Sequence, residues 1–180
     1  MNTYMFKVLV IGAAGTGKTS SIRRFVNDEF ADNYQATIGV DFAVKTIQYD
    51  DDIVVKLQLW DIAGQERYSS MTRVYFKEAT GALLVYDMTN PDSFDAIQRW
   101  KSDLDSKVTL PDSLGGGSIP AVLLANKSDL TPATQGLPPQ QSTRQLDQYC
   151  TENGYLDWFP TSAKENTNLD EAARCLEPDQ

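Results

Sequence analysis

Eight residues near the start of the chain, Gly12-Ala13-Ala14-Gly15-Thr16-Gly17-Lys18-Thr19, fit the spacing G-x-x-x-x-G-K-[ST]. That spacing serves phosphate binding. Glycines let successive backbone N–H groups turn inward on phosphate oxygens, and a helix starting where the loop ends adds positive potential. Lys18 would place a point charge on the outer phosphates, and the Thr19 hydroxyl would ligate Mg²⁺. The plainer alternative is a glycine-rich turn that only caps a helix. An apolar run before the loop and a helical pattern after it give the setting that a phosphate loop requires.

A phosphate loop does not choose a base. Asn126-Lys127-Ser128-Asp129, following the apolar run Ala121 to Ala125, supplies a choice. The Asp129 carboxylate can accept from the N1–H and exocyclic amine of guanine, whereas adenine offers a bare acceptor at N1 and no amine at C2. A site built on such partners rejects the wrong base because buried polar groups would be left unpaired, at about 1–3 kcal/mol each. Four residues of this type in isolation would be an ordinary polar turn; after a strand and downstream of a phosphate loop they indicate guanine.

Residues so far apart must be brought together by a scaffold, and the hydropathy pattern describes one. Short apolar, β-branched runs at Met5–Ile11, Phe42–Tyr49, Ile53–Asp61, Gly81–Asp87, Ala121–Asn126 and Trp158–Thr161 are predicted strands. Helices are predicted at Lys18–Asn27, Met71–Ala79, Ser93–Ser106, Pro139–Gly154 and Asn168–Glu177, with Pro139 suited to a first helical position and Gly154 to a stop. Strands alternating with helices imply an α/β fold around a six-stranded, mostly parallel sheet with about five helices. Asp50-Asp51-Asp52 reads as a solvated hairpin turn in preference to a divalent-metal site, the other reading its carboxylates allow, because nothing nearby supplies the remaining oxygen ligands. The segment Leu110–Pro120, with three consecutive glycines, reads as a surface loop within one domain covering residues 1–180.

Composition narrows the chemistry. The chain has 180 residues with 41% hydrophobic content, enough for one sizeable core. A net charge of −9 argues against general nucleic-acid affinity. With no histidine, catalysis must rest on carboxylates, amides, hydroxyls, lysine or a recruited metal. Cys150 and Cys175 have no metal-ligand spacing and are expected to be inert thiols in a reducing cytoplasm. No apolar run approaches the length of a membrane span, and the N-terminus lacks the layout of a signal peptide.

Ser162-Ala163-Lys164 and Asp61-Ile62-Ala63-Gly64-Gln65 complete four motifs whose order and spacing resemble those of Ras-like small GTPases over nearly the whole chain. The resemblance implies a Ras-like G domain of the P-loop NTPase fold, binding GTP or GDP with Mg²⁺. It assigns the phosphates to Ala14, Gly15, Thr16, Gly17, Lys18, Thr19 and Ser20, and the base to Asn126, Lys127, Asp129, Ser162, Ala163 and Lys164. Asp61 would hold the metal through water, with Thr19 and Thr37 as its other protein ligands. Gly64 would give its N–H to the γ-phosphate, and Gln65 would position the attacking water. Phe30 resembles the aromatic across the guanine and Tyr34 the one closing over the phosphates; each could instead be ordinary apolar packing. Loss of the γ-phosphate would release the loop around Thr37 and the segment from Gly64 to Met71 together.

Within the superfamily, Thr37-Ile38-Gly39-Val40-Asp41-Phe42, Leu57-Gln58-Leu59-Trp60-Asp61, Gln65-Glu66-Arg67-Tyr68 and Leu84-Val85-Tyr86-Asp87 are similar to Rab signatures. Ile62 and the run Lys101–Lys107 resemble the Rab branch that serves melanosomes and other lysosome-related organelles. A Rab would hydrolyse GTP slowly, depend on an exchange factor and an activating protein, and recruit effector proteins in its GTP state. Phe42, Trp60 and Tyr75 match the exposed aromatic triad of its effector surface, although aromatics in strands are more often core. Ala14 stands where glycine is common, and modestly altered turnover is expected. Rabs end in a longer tail with prenylated cysteines, which this chain lacks, so the expectation is a shortened form whose natural counterpart meets membranes through a lipidated tail. Two rivals remain: a nucleotide-binding scaffold that never cleaves GTP, opposed by Gln65, and an ATP-using kinase, opposed by Asp129.

Overall fold

The computed structural model describes residues 2–12, 40–48, 50–62, 72–87, 90–108, 116–126 and 143–161. Six strands form one sheet: β1 (Asn2–Ile11), β2 (Val40–Gln48), β3 (Ile53–Ile62), β4 (Gly81–Asp87), β5 (Ala121–Asn126) and β6 (Asp157–Pro160), in spatial order β2-β3-β1-β4-β5-β6. Only the β2–β3 pair is antiparallel. The three helices among the described residues are α1 (Thr72–Phe76), α2 (Pro91–Lys107) and α3 (Thr143–Asn153). The helices expected at 18–27 and 168–177 lie outside the described residues.

The central strands are buried from end to end in β4 and β5, as their unbroken apolar sequences require. Alternate residues serve two faces. Leu9, Ile11, Ile62, Leu84 and Leu123 join Phe76, Ile97, Trp100, Leu104 and Leu146 from the helices in one cluster. Val8, Val10, Val55, Leu57, Leu59, Val85 and Leu124 form a second cluster on the opposite face. Each fully buried aliphatic side chain contributes about 1.5–3 kcal/mol. Helix α2 turns Ile97, Trp100 and Leu104 inward, the three- and four-residue spacing of one helical face, and all three are at most 1% exposed.

Several boundaries differ from the sequence expectation. Strand β1 begins at Asn2 because Asn2, Thr3 and Tyr4 pair with Ile53, Val54 and Val55, backbone pairing that hydropathy does not reveal. Helix α1 is shorter than expected: Ala79 N–H donates to the Phe76 carbonyl at 3.1 Å, and Glu78 adopts a φ of 65°, which ends helical geometry. Helix α2 starts earlier, at Pro91, because Asn90 caps it by accepting from the Asp92 N–H at 3.1 Å. Gly154 does end α3, with φ 76°, and Tyr155 N–H reaches back to the Cys150 carbonyl at 3.0 Å. Pro139 falls outside the described residues. The acidic turn is closed within itself, with Asp52 N–H donating to the Asp50 carboxylate at 2.8 Å and the Ile53 N–H to the Asp50 carbonyl at 3.4 Å.

Strand β1 lies between β3 and β4, so the chain order reverses there. In open α/β sheets, ligands bind beyond the carboxyl ends of the strands at such a reversal. The phosphate-loop sequence leaves β1 at this point.

Candidate functional site

Across the carboxyl-terminal rim of the sheet stand, in spatial order, Asp61 on β3, Gly12 after β1, Asp87 on β4, Asn126 on β5 and Thr161 after β6. Gly12 leaves its strand with a φ of 156°, a value that a residue with a Cβ rarely adopts. The other four are polar yet almost wholly buried, at 3% exposure for Asp61, 7% for Asp87, 2% for Asn126 and 0% for Thr161. Burying polar atoms is costly unless partners satisfy them. A row of such residues on one rim therefore marks a place organised for more than packing.

The β5–β6 side of the rim is tied together by a bond between distant residues. Thr161 Oγ1 donates to Asn126 Oδ1 at 3.1 Å, and the Thr161 N–H donates to the Ala125 carbonyl at 2.9 Å. The Asn126 side-chain oxygen is thus turned to the residue that follows β6. Asn126 and Thr161, the residues that immediately precede the Lys127 and Ser162 motif positions in the sequence, are therefore joined to each other. Sequence reasoning had placed Thr161 in a strand and given it no role; only its position one residue before Ser162 hinted at one.

At the centre of the rim, Ser93 joins β4 to α2. Asp87 N–H donates to Ser93 Oγ at 2.9 Å, and the same hydroxyl lies 2.7 Å from the Asn90 carbonyl, which it can donate to. On the β1–β3 side, Asp61 pairs in register with Val10 of β1 and with Asp41 of β2. A carboxylate at 3% exposure is stabilised only by donors or a cation, which suits it to a metal-bearing site.

Of the residues expected to hold nucleotide and metal, Asp61 and Asn126 are described, and the structure brings both to this rim. Ala14, Gly15, Thr16, Gly17, Lys18, Thr19, Ser20, Phe30, Tyr34, Thr37, Gly64, Gln65, Lys127, Asp129, Ser162, Ala163 and Lys164 lie outside the described residues. In the expected aromatic triad, Phe42 is the cross-strand partner of Trp60. Trp60 and Tyr75 are less exposed than the sequence reading had them: both are partly buried and pack against the helix-side core. Among the described residues there is no cluster of three or more Cys, Asp or Glu able to hold a metal, the acidic turn included. Desolvation, with Asp157 and Asp147 adding to it, pushes the buried Cys150 thiol up to about 12, as an inert thiol requires. Cys175 lies outside the described residues. No helix among the described residues is long and apolar enough to cross a membrane.

A parallel sheet reversing at β1, with a phosphate loop beyond that strand and a base-selecting motif beyond β5, defines the guanine-nucleotide-binding class of P-loop proteins. The chain belongs to the Ras family, whose family model matches residues 7–177. It is 56% identical over 173 residues to Ras-related protein Rab-32 of Homo sapiens, a match covering 96% of this chain and 73% of the relative. Rab-32A of Dictyostelium discoideum is 52% identical over 175 residues, covering 97% and 77%. Rab-7L1 of Rattus norvegicus is 50% identical over 173 residues, covering 96% and 80%. Within the Ras family, then, it is a Rab: a small GTPase that binds guanine nucleotide, hydrolyses GTP, and acts with effectors, exchange factors and activating proteins in membrane trafficking. Membership disposes of the kinase alternative and of the inert scaffold.

Proposed function

We propose that residues 1–180 act as one G domain whose nucleotide lies along this rim, phosphates at the β1–β3 side and guanine at the β5–β6 side. The observation that carries the reading is the row of buried polar residues at these strand ends, closed at its base side by the Asn126–Thr161 bond. Ala14 to Ser20 hold the phosphates; Asn126, Lys127, Asp129 and the Ser162-Ala163-Lys164 loop hold the base, with Phe30 and Tyr34 across the ligand. Magnesium fits the donor set of Thr19, Thr37 and Asp61, all hard oxygens. When bound, the ion offsets phosphate charge. Gly64 donates to the γ-phosphate, and Gln65 orients the attacking water.

Effectors engage Phe42, Trp60 and Tyr75 in the GTP state, a surface that the Phe42–Trp60 pairing of β2 and β3 supports. By its likeness to the Rab-32 branch, the protein works on the cytosolic face of endosomal, lysosomal or lysosome-related organelle membranes, held there by lipidation.

Single-turnover hydrolysis tests the assignment. Gln65→Leu should slow GTP cleavage on the order of 10²-fold while GTP affinity stays the same. An unchanged rate would remove Gln65 from its role. Thr19→Asn should weaken Mg²⁺-dependent GTP binding about tenfold or more relative to GDP, the cost of one lost ligand interaction. Undiminished GTP affinity would contradict the metal set.

A further inference from the structure

Lys7 makes contacts that nucleotide binding does not use. It lies on the helix-side face of β1, and Trp60 sits two residues beyond its partner Gln58 on β3, the diagonal position on the same face. The Lys7 ammonium lies 3.6 Å from the centre of the Trp60 ring, close range for a cation on an aromatic face. The same nitrogen donates to the Lys77 carbonyl at 2.8 Å, in the turn that ends α1. The Lys7 carbonyl accepts from the Thr80 N–H at 2.9 Å and from the Thr80 hydroxyl at 3.3 Å. One residue of the central strand thus holds both ends of the α1–β4 connection and one face of the indole. Partial burial lowers the pKa of the ammonium, against the opposing pull of Glu78.

We propose that Lys7 is a positioning residue that couples helix α1 to Trp60, so that a rearrangement upstream of α1 is transmitted to the orientation of the indole. Its consequence for partner recognition rests on the assignment of Trp60 and Tyr75 to the effector surface and of the segment before α1 to a nucleotide-sensitive switch. The geometry explains why a long cationic side chain is needed. A carbonyl requires a donor, a ring face requires a cation, and a lysine stem spans from the strand to both.

The test labels the full chain with 5-fluorotryptophan and records ¹⁹F spectra loaded with GDP and with a non-hydrolysable GTP analogue. The three tryptophans give three resonances, with Trp60 assigned from Trp60→Phe. Trp158, whose indole N–H donates to Asp147 at 2.7 Å, serves as the internal reference, and Trp100, which packs on Phe76 of α1 with ring centres 6.2 Å apart, reports on that helix. The expected result is a Trp60 resonance that differs between nucleotide states in the wild type and loses that difference in Lys7→Met. Lys7→Arg, which keeps a cation able to stack and donate, restores it. Equal nucleotide-dependent shifts in wild type and Lys7→Met would overturn the coupling, as would a loss that Lys7→Arg fails to repair. A wild type without any nucleotide-dependent shift would instead remove Trp60 from the switch surface, and the coupling with it. An unmoved Trp158 resonance, with an unchanged thermal midpoint, establishes in each variant that the fold is intact.

Discussion

At the carboxyl-terminal rim of the sheet the strands finish in buried polar residues, Asp61, Asp87 and Asn126, with Thr161 just beyond β6. At the opposite end of the same sheet the polar residues are exposed, as at Asn2, Thr3, the Asp50–Asp52 turn and Asp157. There even large apolar groups meet solvent: Met5 is 58% exposed and Tyr4 38%. At the Asn2–Lys7 level β1 is flanked by β3 and not by β4, which accounts for the exposure of Met5 and Tyr4 but not for the burial of polar residues at the rim. Desolvating a polar group costs free energy that only designed partners recover, and the fold accepts that cost at one end. The end that does so is the one from which the nucleotide motifs depart. Lys101 is the buried charged residue that breaks the pattern, and it lies in α2, away from the rim, donating to Asp105 at 2.7 Å.

The comparison can be broken most forcefully at Asn126. Asn126→Ala deletes a side chain at 2% exposure and strands the Thr161 hydroxyl in the interior. The expected loss is about 1–3 kcal/mol of stability in urea unfolding. If the segments after Asn126 and Thr161 hold the base as proposed, guanine-nucleotide affinity should fall by roughly ten- to a hundredfold in a competition assay. Affinity equal to that of the wild type would make the β5 end structural only. Thr161→Val sharpens the point, since it keeps β-branching and shape and removes one donor. Stability should drop by about 1 kcal/mol, a shift of about 2–4 °C in Tm for a domain of this size. Nucleotide release should quicken by no more than roughly fivefold.

Much of this rim was legible because its motifs depend on residue type at fixed local spacing. Strands β4 and β5 were predicted to the residue, since continuous apolar runs ending in Asp87 and Asn126 leave little choice of boundary. The cap at Asn90 and Pro91 is local too, but the apolar pattern that marks the helix starts two residues later. Other features could not have been read locally. Thr161 and Asn126 are 35 positions apart, and Lys7 and Lys77 are 70 apart. Their contacts are created by strand order, which hydropathy does not specify. Trp60 and Tyr75 show the same limit. An aromatic alternating along a strand faces one side of the sheet, but how deeply it is covered depends on the helix laid over it.

The smallest effect is expected at the far end. Met5 pairs in register with Lys56 on β3 at a level of the sheet that β4 does not reach, since β4 pairs only with Val8 to Ile11 of β1. Among the described residues the Met5 side chain is 58% exposed and belongs to neither core cluster, and its strand is held by backbone pairing that substitution leaves alone. Met5→Gln should therefore change stability by less than about 0.5 kcal/mol, and leave nucleotide affinity and hydrolysis unaltered. If Met5→Gln weakened nucleotide binding as much as Thr161→Val, the sheet would be transmitting strain along its whole length. The separation between a polar, desolvated rim and a solvated opposite end would then be one of appearance and not of energetics.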